Sequence, residues 1–402
     1  MFSRAGNGEM SMINFEFYNP ARIIFGKDTE FQAGKQIAKY GKRVLLHYGG
    51  GSIKANGVYD KVVKSLKEEG LFFVELSGVV PNPRLSLVRE GIELCKENNL
   101  DFVLAVGGGS VIDSAKAIAA GVRYSGDVWE LYMDNSKLAG LTEALPVGVV
   151  LTIPAAGSES STASVITNEE GWLKRAINTE VVIPKFAVLN PESSYTLPAY
   201  QTACGASDIF AHLMERYFTQ EPNVDFTDRL IEANMRTILN NAPLALKNPN
   251  DYNVRAEIMW AGAVAHNNLL NTGRIGDWGS HDIEHEISGA YDIAHGAGLS
   301  IVFPAWMKYV YKQNVDKFIQ FAMRVFNVDF SFDDKEKIVF EMIERLEAWY
   351  VRMGLPIRLS DVNIGSERIR EMADKCMVGR THVGNFQKLR ADDIYEIYKL
   401  AL

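Results

Sequence analysis

Between Phe15 and about Leu189, short β-branched and aliphatic runs alternate with segments whose apolar positions recur every three to four residues. The runs are ARIIF (21–25), RVLLHY (43–48), LFFVEL (71–76), DFVLAV (101–106), VGVVLTI (147–153) and FAVLN (186–190). Between them lie patterns such as YDKVVKSLKEEG and LSLVREGIELCKENN. Strand-helix alternation of this kind predicts a parallel sheet with helices on its faces. After Pro191 the period changes: helix-spaced patterns cover 199–218, 225–240, 253–270, 296–312, 335–353 and 391–401, with scarcely a strand among them. The change falls in LNPESSYTLP (189–198), where two prolines and a Ser-Ser pair interrupt the pattern as a boundary would. The expected division is a polar tail over 1–12, an α/β domain over 13–192 and an all-α domain over 193–402.

A chain of 402 residues fits two domains, each large enough to bury a core. Its 47% apolar and 23% charged content is that of an ordinary globular protein. The net charge of −8 leaves no basic stripe for a phosphate backbone or an anionic membrane, so neither nucleic acid nor membrane is an expected partner. Cys95, Cys204 and Cys376 are widely spaced and form no Cys-x-x-Cys, which argues against a disulfide framework or a cysteine zinc site. Residues 1–11 have no apolar core of a signal peptide, and no apolar run approaches the ~18 residues a membrane span needs. A cytoplasmic protein is expected.

Two Gly-Gly-Gly-Ser segments, at 49–52 and 107–110, each follow an apolar strand and precede a helix. Glycine lets the backbone approach a phosphate, and a helix N-terminus offers N–H groups and partial positive charge, so a dinucleotide fits across both loops. Tight turns also use glycine, and neither loop is the G-x-G-x-x-G fingerprint. Ser110 and Asp113 additionally spell an S-x-x-D capping box.

Three of the seven histidines fall in HDIEHEISGAYDIAH (281–295), and Asp208 and His212 form an i, i+4 pair in a helical stretch upstream. Asp208, His212, His281 and His295 offer one carboxylate oxygen and three imidazoles, a set suited to Fe(II) or Zn(II) and poor for Ca(II). His285 shares a helical face with His281 and fits a fifth ligand, a proton carrier or an outer-shell residue. A rival reading takes His281, Glu284 and His285 as the H-x-x-E-H motif of inverted zinc metallopeptidases, but leaves the glycine loops, Asp208, His212 and His295 unused.

With these elements placed, the chain from Ile13 onward resembles the iron-containing alcohol dehydrogenase family, in its butanol dehydrogenase and NADPH-dependent aldehyde reductase branch. The resemblance rests on GGGSIKANGVYD (49–60), PNP (81–83), GGGSVIDSAK (107–116) and DWGSHDIEHEISGAYDIAHGAGLSIVFPAWMKYV (277–310). It implies a dehydroquinate synthase-like architecture, with a dinucleotide-binding α/β domain, a helical metal-binding domain and the active site where cofactor and metal meet. By resemblance Asp208, His212, His281 and His295 hold the metal, Fe2+ in most of the family and Zn2+ as the alternative. His285 then stands beside nicotinamide and substrate as the catalytic proton carrier. Gly50, Gly51 and Ser52 match the adenosine side of the cofactor site and Asn82 a further contact. Gly108, Gly109, Ser110 and Asp113 match the pyrophosphate side, followed by Thr152, Ser158 and Lys174. One departure is Ala156 in LTIPAAGSE, where the branch carries threonine. The implied reaction is hydride transfer between NAD(P)(H) and a short-to-medium primary alcohol or aldehyde such as butanol or butyraldehyde. Glycerol dehydrogenase and dehydroquinate synthase-like lyase are the alternatives of the same fold. The first loop has no acidic residue to repel a 2′-phosphate and carries Ser52 and Lys54, which favours NADP(H), with Glu75 at the end of the next strand the residue that could discriminate. A homodimer is implied too, with the strand near 13–25 as its pairing edge.

Overall fold

The computed structural model describes residues 11–402, so most of the tail expected over 1–12 lies outside the described residues. All six apolar runs form strands of one parallel sheet. These are β1 (Arg22–Phe25), β2 (Arg43–Tyr48), β3 (Phe72–Leu76), β4 (Phe102–Gly107), β5 (Val147–Leu151) and, last in the chain, β8 (Phe186–Leu189). The sheet order is β1-β8-β5-β4-β2-β3. Alternation sorts the side chains of β4 to opposite faces: Val103 and Ala105 join one apolar cluster, Phe102, Leu104 and Val106 the other. Burial on both faces explains why the inner strands β2, β4, β5 and β8 read as continuous apolar runs.

The connections carry α1 (Ala33–Ile37), α2 (Ser52–Ala55), α3 (Val58–Glu68), α4 (Leu85–Glu97), α5 (Gly109–Arg123), α6 (Trp129–Met133) and α7 (Asn135–Ala139). An antiparallel hairpin, β6 (Ala163–Asn168) and β7 (Leu173–Asn178), was not expected from the sequence. Its strands, ASVITN and LKRAIN, are each half polar, with Ser164, Thr167 and Asn168 in one and Lys174, Arg175 and Asn178 in the other, and make no long apolar run.

After Pro198 come α8 (Ala199–Tyr217), α9 (Asp225–Lys247), α10 (Tyr252–Ala265), α11 (Gly279–Tyr291), α12 (His295–Val310), α13 (Val315–Val325), α14 (Lys335–Arg352), α15 (Ile369–Cys376) and α16 (Ala391–Leu400). The chain divides into two compact units, and the sheet unit is discontinuous: residues 19–198 together with 248–267. The helix expected in the second domain over 253–270 therefore belongs to the sheet. Met259 and Ala263 of α10 are buried in the cluster that holds Val149 and Ala187. A 3.6-residue period shows that a helix has an apolar face but not which core that face joins.

The helical unit comprises the described residues up to Tyr18, residues 199–247 and residues 268–402. Phe218, Trp306 and Phe318 pack at its centre, with Phe218 and Phe318 stacked at 4.6 Å. The segment leading into α11 is pinned by buried Arg274, which donates to the carbonyls of Arg216 and Val224 and to Asp228. No described helix is long and apolar enough to cross a membrane.

Candidate metal centre and cofactor site

In the helical unit, one turn of α8 places Asp208 and His212 on one face, with His212 Nε2 3.3 Å from Asp208 Oδ1. α11 supplies His281, and α12 opens with His295. Their Nε2 atoms stand 4.0 and 3.9 Å from the same Asp208 oxygen. Asp208, His281 and His295 can each offer an atom within 4.8 Å of the others, and the His212 ring lies 4.6 Å from that of His281.

Two carboxylates fix these rings: Glu215, which the sequence did not single out, and Glu284, which it offered only as the base of the rival peptidase motif. Glu215 Oε1 accepts His281 Nδ1 at 2.7 Å and the His281 backbone N–H at 3.0 Å, while Oε2 accepts the Trp278 N–H. Glu284 accepts His295 Nδ1 and Ser288 Oγ. A carboxylate only accepts, so each Nδ1 carries the proton and each Nε2 presents its lone pair towards Asp208. That is the donor set a divalent cation requires, so the residues fit a resident metal. Burial pushes the Glu215 carboxyl up to about 8 against the N–H groups that lower it. A cation at the histidines would act in the opposite direction and favour the ionised form. His285 stands apart from the Asp208 set: it groups instead with Glu284 and His295, its ring 5.5 Å from that of His295. Glu284, the would-be base of the peptidase motif, is committed to His295 and Ser288.

Glu215→Gln keeps the shape but turns an amide N–H towards a donor. A 10- to 100-fold loss of metal affinity, of order for an outer-shell partner, is expected. Competition with a chelator measures it, and unchanged retention would show that Glu215 does not orient His281.

In the sheet unit, the two glycine loops close neighbouring strands, since Tyr48 and Val106 at the ends of β2 and β4 are in register. Both sit at carboxyl ends of parallel strands, where open α/β sheets take ligands. Gly50 and Gly51 lead into α2, which begins at Ser52, and Gly78 N–H donates to Gly49 O at 2.9 Å. Asn82 is buried with φ of 55° just before α4. Gly108 caps α5 without a side-chain bond, so the expected Ser110–Asp113 capping box does not form. Asp113 instead accepts Ser158 Oγ at 2.5 Å and Val165 N–H at 3.1 Å, donors hidden by their distance along the chain. Burial raises its pKa, and Lys116, Ser158, Val165 and Lys174 oppose the shift. Thr152 N–H donates to Gly107 O at 3.0 Å, and a side chain on Gly109 would start 3.0 Å from Ala156 Cβ. Gly108, Gly109, Asp113, Thr152 and Ser158 thus gather at one point, with Gly50–Ser52 at the adjoining strand end.

Glycine loops at the carboxyl ends of a parallel sheet suit a dinucleotide, and a group of three histidines and one carboxylate suits a divalent metal. Residues 20–191 match the sequence model of iron-containing alcohol dehydrogenase, and residues 202–402 match that of the Fe-containing alcohol dehydrogenase family, C-terminal. The chain is 46% identical to probable NADH-dependent butanol dehydrogenase 2 of Bacillus subtilis, over 97% of this chain and 100% of that one. It is 36% identical to the NADPH-dependent aldehyde reductase YqhD of Escherichia coli, over 97% and 100%. The crystal structure of NADH-dependent butanol dehydrogenase A from Thermotoga maritima superposes with a TM-score of 0.92 at 41% identity, covering 98% of this chain and 100% of that one. The chain belongs to the iron-containing alcohol dehydrogenase family. It is an alcohol dehydrogenase and aldehyde reductase that works with a metal and a nicotinamide cofactor.

Proposed function

We propose that this enzyme interconverts short-to-medium primary alcohols and their aldehydes, butanol and butyraldehyde among them, with NADP(H) preferred to NAD(H) and Fe(II) as its metal. The observation that carries the substrate class is end-to-end similarity to enzymes named for butanol and for aldehyde reduction. Asp208, His212, His281 and His295 would hold the metal, and Gly50, Gly51, Ser52, Asn82, Gly108, Gly109, Ser110, Asp113, Thr152, Ser158 and Lys174 the cofactor. A metal so held would supply Lewis acidity for the alcohol or carbonyl oxygen, and a nicotinamide would supply or take up the hydride. Reduction consumes one proton per aldehyde, and His285, beside the ligand cluster but outside the Asp208 set, delivers it. Zn(II) suits the same donors.

The cofactor preference rests on the first loop. It has no carboxylate, and the nearby Glu75 is engaged by Tyr48 and Tyr59, each at 2.6 Å, and by Lys54 at 3.7 Å. Burial would raise the Glu75 pKa, but these partners bring it below the usual value, so the carboxylate is ionised and its charge is shared with Lys54. NADPH should therefore be oxidised with butyraldehyde at roughly tenfold higher kcat/KM than NADH, on the order of one charge-assisted hydrogen bond. Lys54→Ala, which uncovers Glu75, should erase the difference by raising KM for NADPH alone. Equal efficiencies in the wild type, or no turnover of any straight-chain aldehyde, would overturn the reading.

A homodimer in the cytoplasm fits the remaining features. Among the described residues β1 pairs only with β8 and leaves its other edge unpaired, flanked by Phe25 and Trp260, exposed and edge-to-face at 6.3 Å.

A further inference from the structure

The loop Ala156–Ser160 carries Ser158 and sits against Gly109, yet it has little regular structure of its own. α10, which comes to the sheet unit from a hundred residues further along the chain, holds it at several points. His266 Nδ1 donates to the carbonyl of Ala156 at 2.7 Å. Ser160 Oγ donates to the Ala263 carbonyl at 3.2 Å. The Asn19 side-chain amide bridges the two segments, giving one N–H to Ser160 O at 2.7 Å and one to Asn267 O at 2.9 Å. Gly157 seals the contact. Its φ is 63°, and a side chain there would begin 2.5 Å from His266 Cβ and 2.9 Å from Gly262 O. The loop has no freedom to move towards α10, and the hydrogen bonds stop it moving away.

We infer that His266 is a positioning residue for the nicotinamide cofactor: it fixes the Ala156 carbonyl, and with it the placement of Ser158 beside Asp113 and the second glycine loop. Threonine, the residue expected at 156 by resemblance, would bring a hydroxyl of its own to this loop. Alanine brings none, so the side-chain hold on this residue comes through its backbone carbonyl. The carbonyl only accepts, so the ring is protonated at Nδ1. A hydrogen bond between a buried imidazole and a backbone carbonyl 110 residues away in sequence specifies one loop conformation out of many before any ligand arrives. Preorganisation of that kind lowers the ordering cost of binding and shows itself in affinity. The inference rests on the proposed assignment of Ser158 and the second loop to the cofactor.

His266→Leu removes the donor and keeps the Cβ against which Gly157 packs. Amide hydrogen exchange of the cofactor-free protein should speed up at Ser160 and Ser161, whose N–H groups bond within this loop to Gly157 O and Ser158 O. The dissociation constant for NADPH, read by its fluorescence, should rise about tenfold, the value of one net buried hydrogen bond. Metal content and kcat at saturating cofactor should change little. His266→Asn places an amide N–H near the position of Nδ1 and should recover most of the affinity. Asn19→Ala, which cuts the second stitch, should move exchange and affinity in the same direction by a smaller factor. Wild-type NADPH affinity in His266→Leu, or equal impairment in the leucine and asparagine variants, overturns the inference. Should the leucine variant not fold, unchanged exchange and affinity in Asn19→Ala does so. Gly109→Val separates the underlying assignment: if it binds NADPH normally, the loop is not the cofactor site, whereas loss there with an unaffected His266→Leu defeats only the role of His266.

Discussion

His281→Ala is expected to leave the purified enzyme without stoichiometric metal and to lower aldehyde reduction by on the order of a thousandfold. The imidazole is one of three converging on Asp208, and the Lewis-acid contribution it would help to hold is worth several kcal/mol, about 4 of which correspond to that factor. Elemental analysis and turnover, measured on the same preparation, check both parts. The contrast with His285→Ala makes the test sharp. That variant should retain its metal, because His285 is outside the Asp208 group, and should slow only the proton-coupled step, with a changed solvent isotope effect. Equal metal loss in both variants would sink the division of labour between the two histidines.

Gly296→Ala should be nearly as damaging, though it touches no ligand. Gly296 follows His295 directly, and the added methyl would lie 2.7 Å from the carbonyl carbon and 2.9 Å from the Cα of Cys204. Both neighbours are backbone, so no side chain can swing aside. α8 and α12 must part, and the Ser207 hydroxyl bond to the Gly296 carbonyl, 2.7 Å long, stretches with them. Cys204 is one turn before Asp208, and His295 Nε2 stands 3.9 Å from the Asp208 oxygen, so the same shift opens the donor set. Overpacking of this kind costs about 1–3 kcal/mol, or several degrees in Tm for a unit of this size. Metal affinity should fall by at least the factor expected for losing an outer-shell partner, roughly 10- to 100-fold. Unaltered melting and chelator resistance would show that the helices have slack at this crossing.

Much of this was legible before any coordinates. The inner strands β2, β4, β5 and β8 were readable because burial on both faces leaves little room for polar residues, the edge strands β1 and β3 from their short apolar runs alone, and the long helices from their period. The β6–β7 hairpin was not, since two short strands with half their residues polar leave only a weak mark. The gathering of Asp208, His212, His281 and His295 followed from an i, i+4 pair and a dense histidine stretch. Glu215 escaped, and Glu284 stood only as the base of the rival motif, because acidic residues are common on helices and only the turn at Trp278, held at φ of 68°, aims backbone N–H groups at Glu215. Asp113 was legible as important but misread as a cap, for its partners Ser158 and Val165 are brought to it by the sheet. The cofactor contacts as a group came from resemblance, and His266 from neither source.

The return of α10 to the sheet has a consequence for how such a chain can be taken apart. The matched segments, 20–191 and 202–402, look like two exchangeable modules, yet the first contains neither Met259 nor Ala263, which complete its core, nor His266, which clasps its loop. A fragment ending at Pro198 leaves a bare apolar strip where α10 lies. Partners for domain shuffling would have to match along two separate stretches of sequence at once, 19–198 and 248–267.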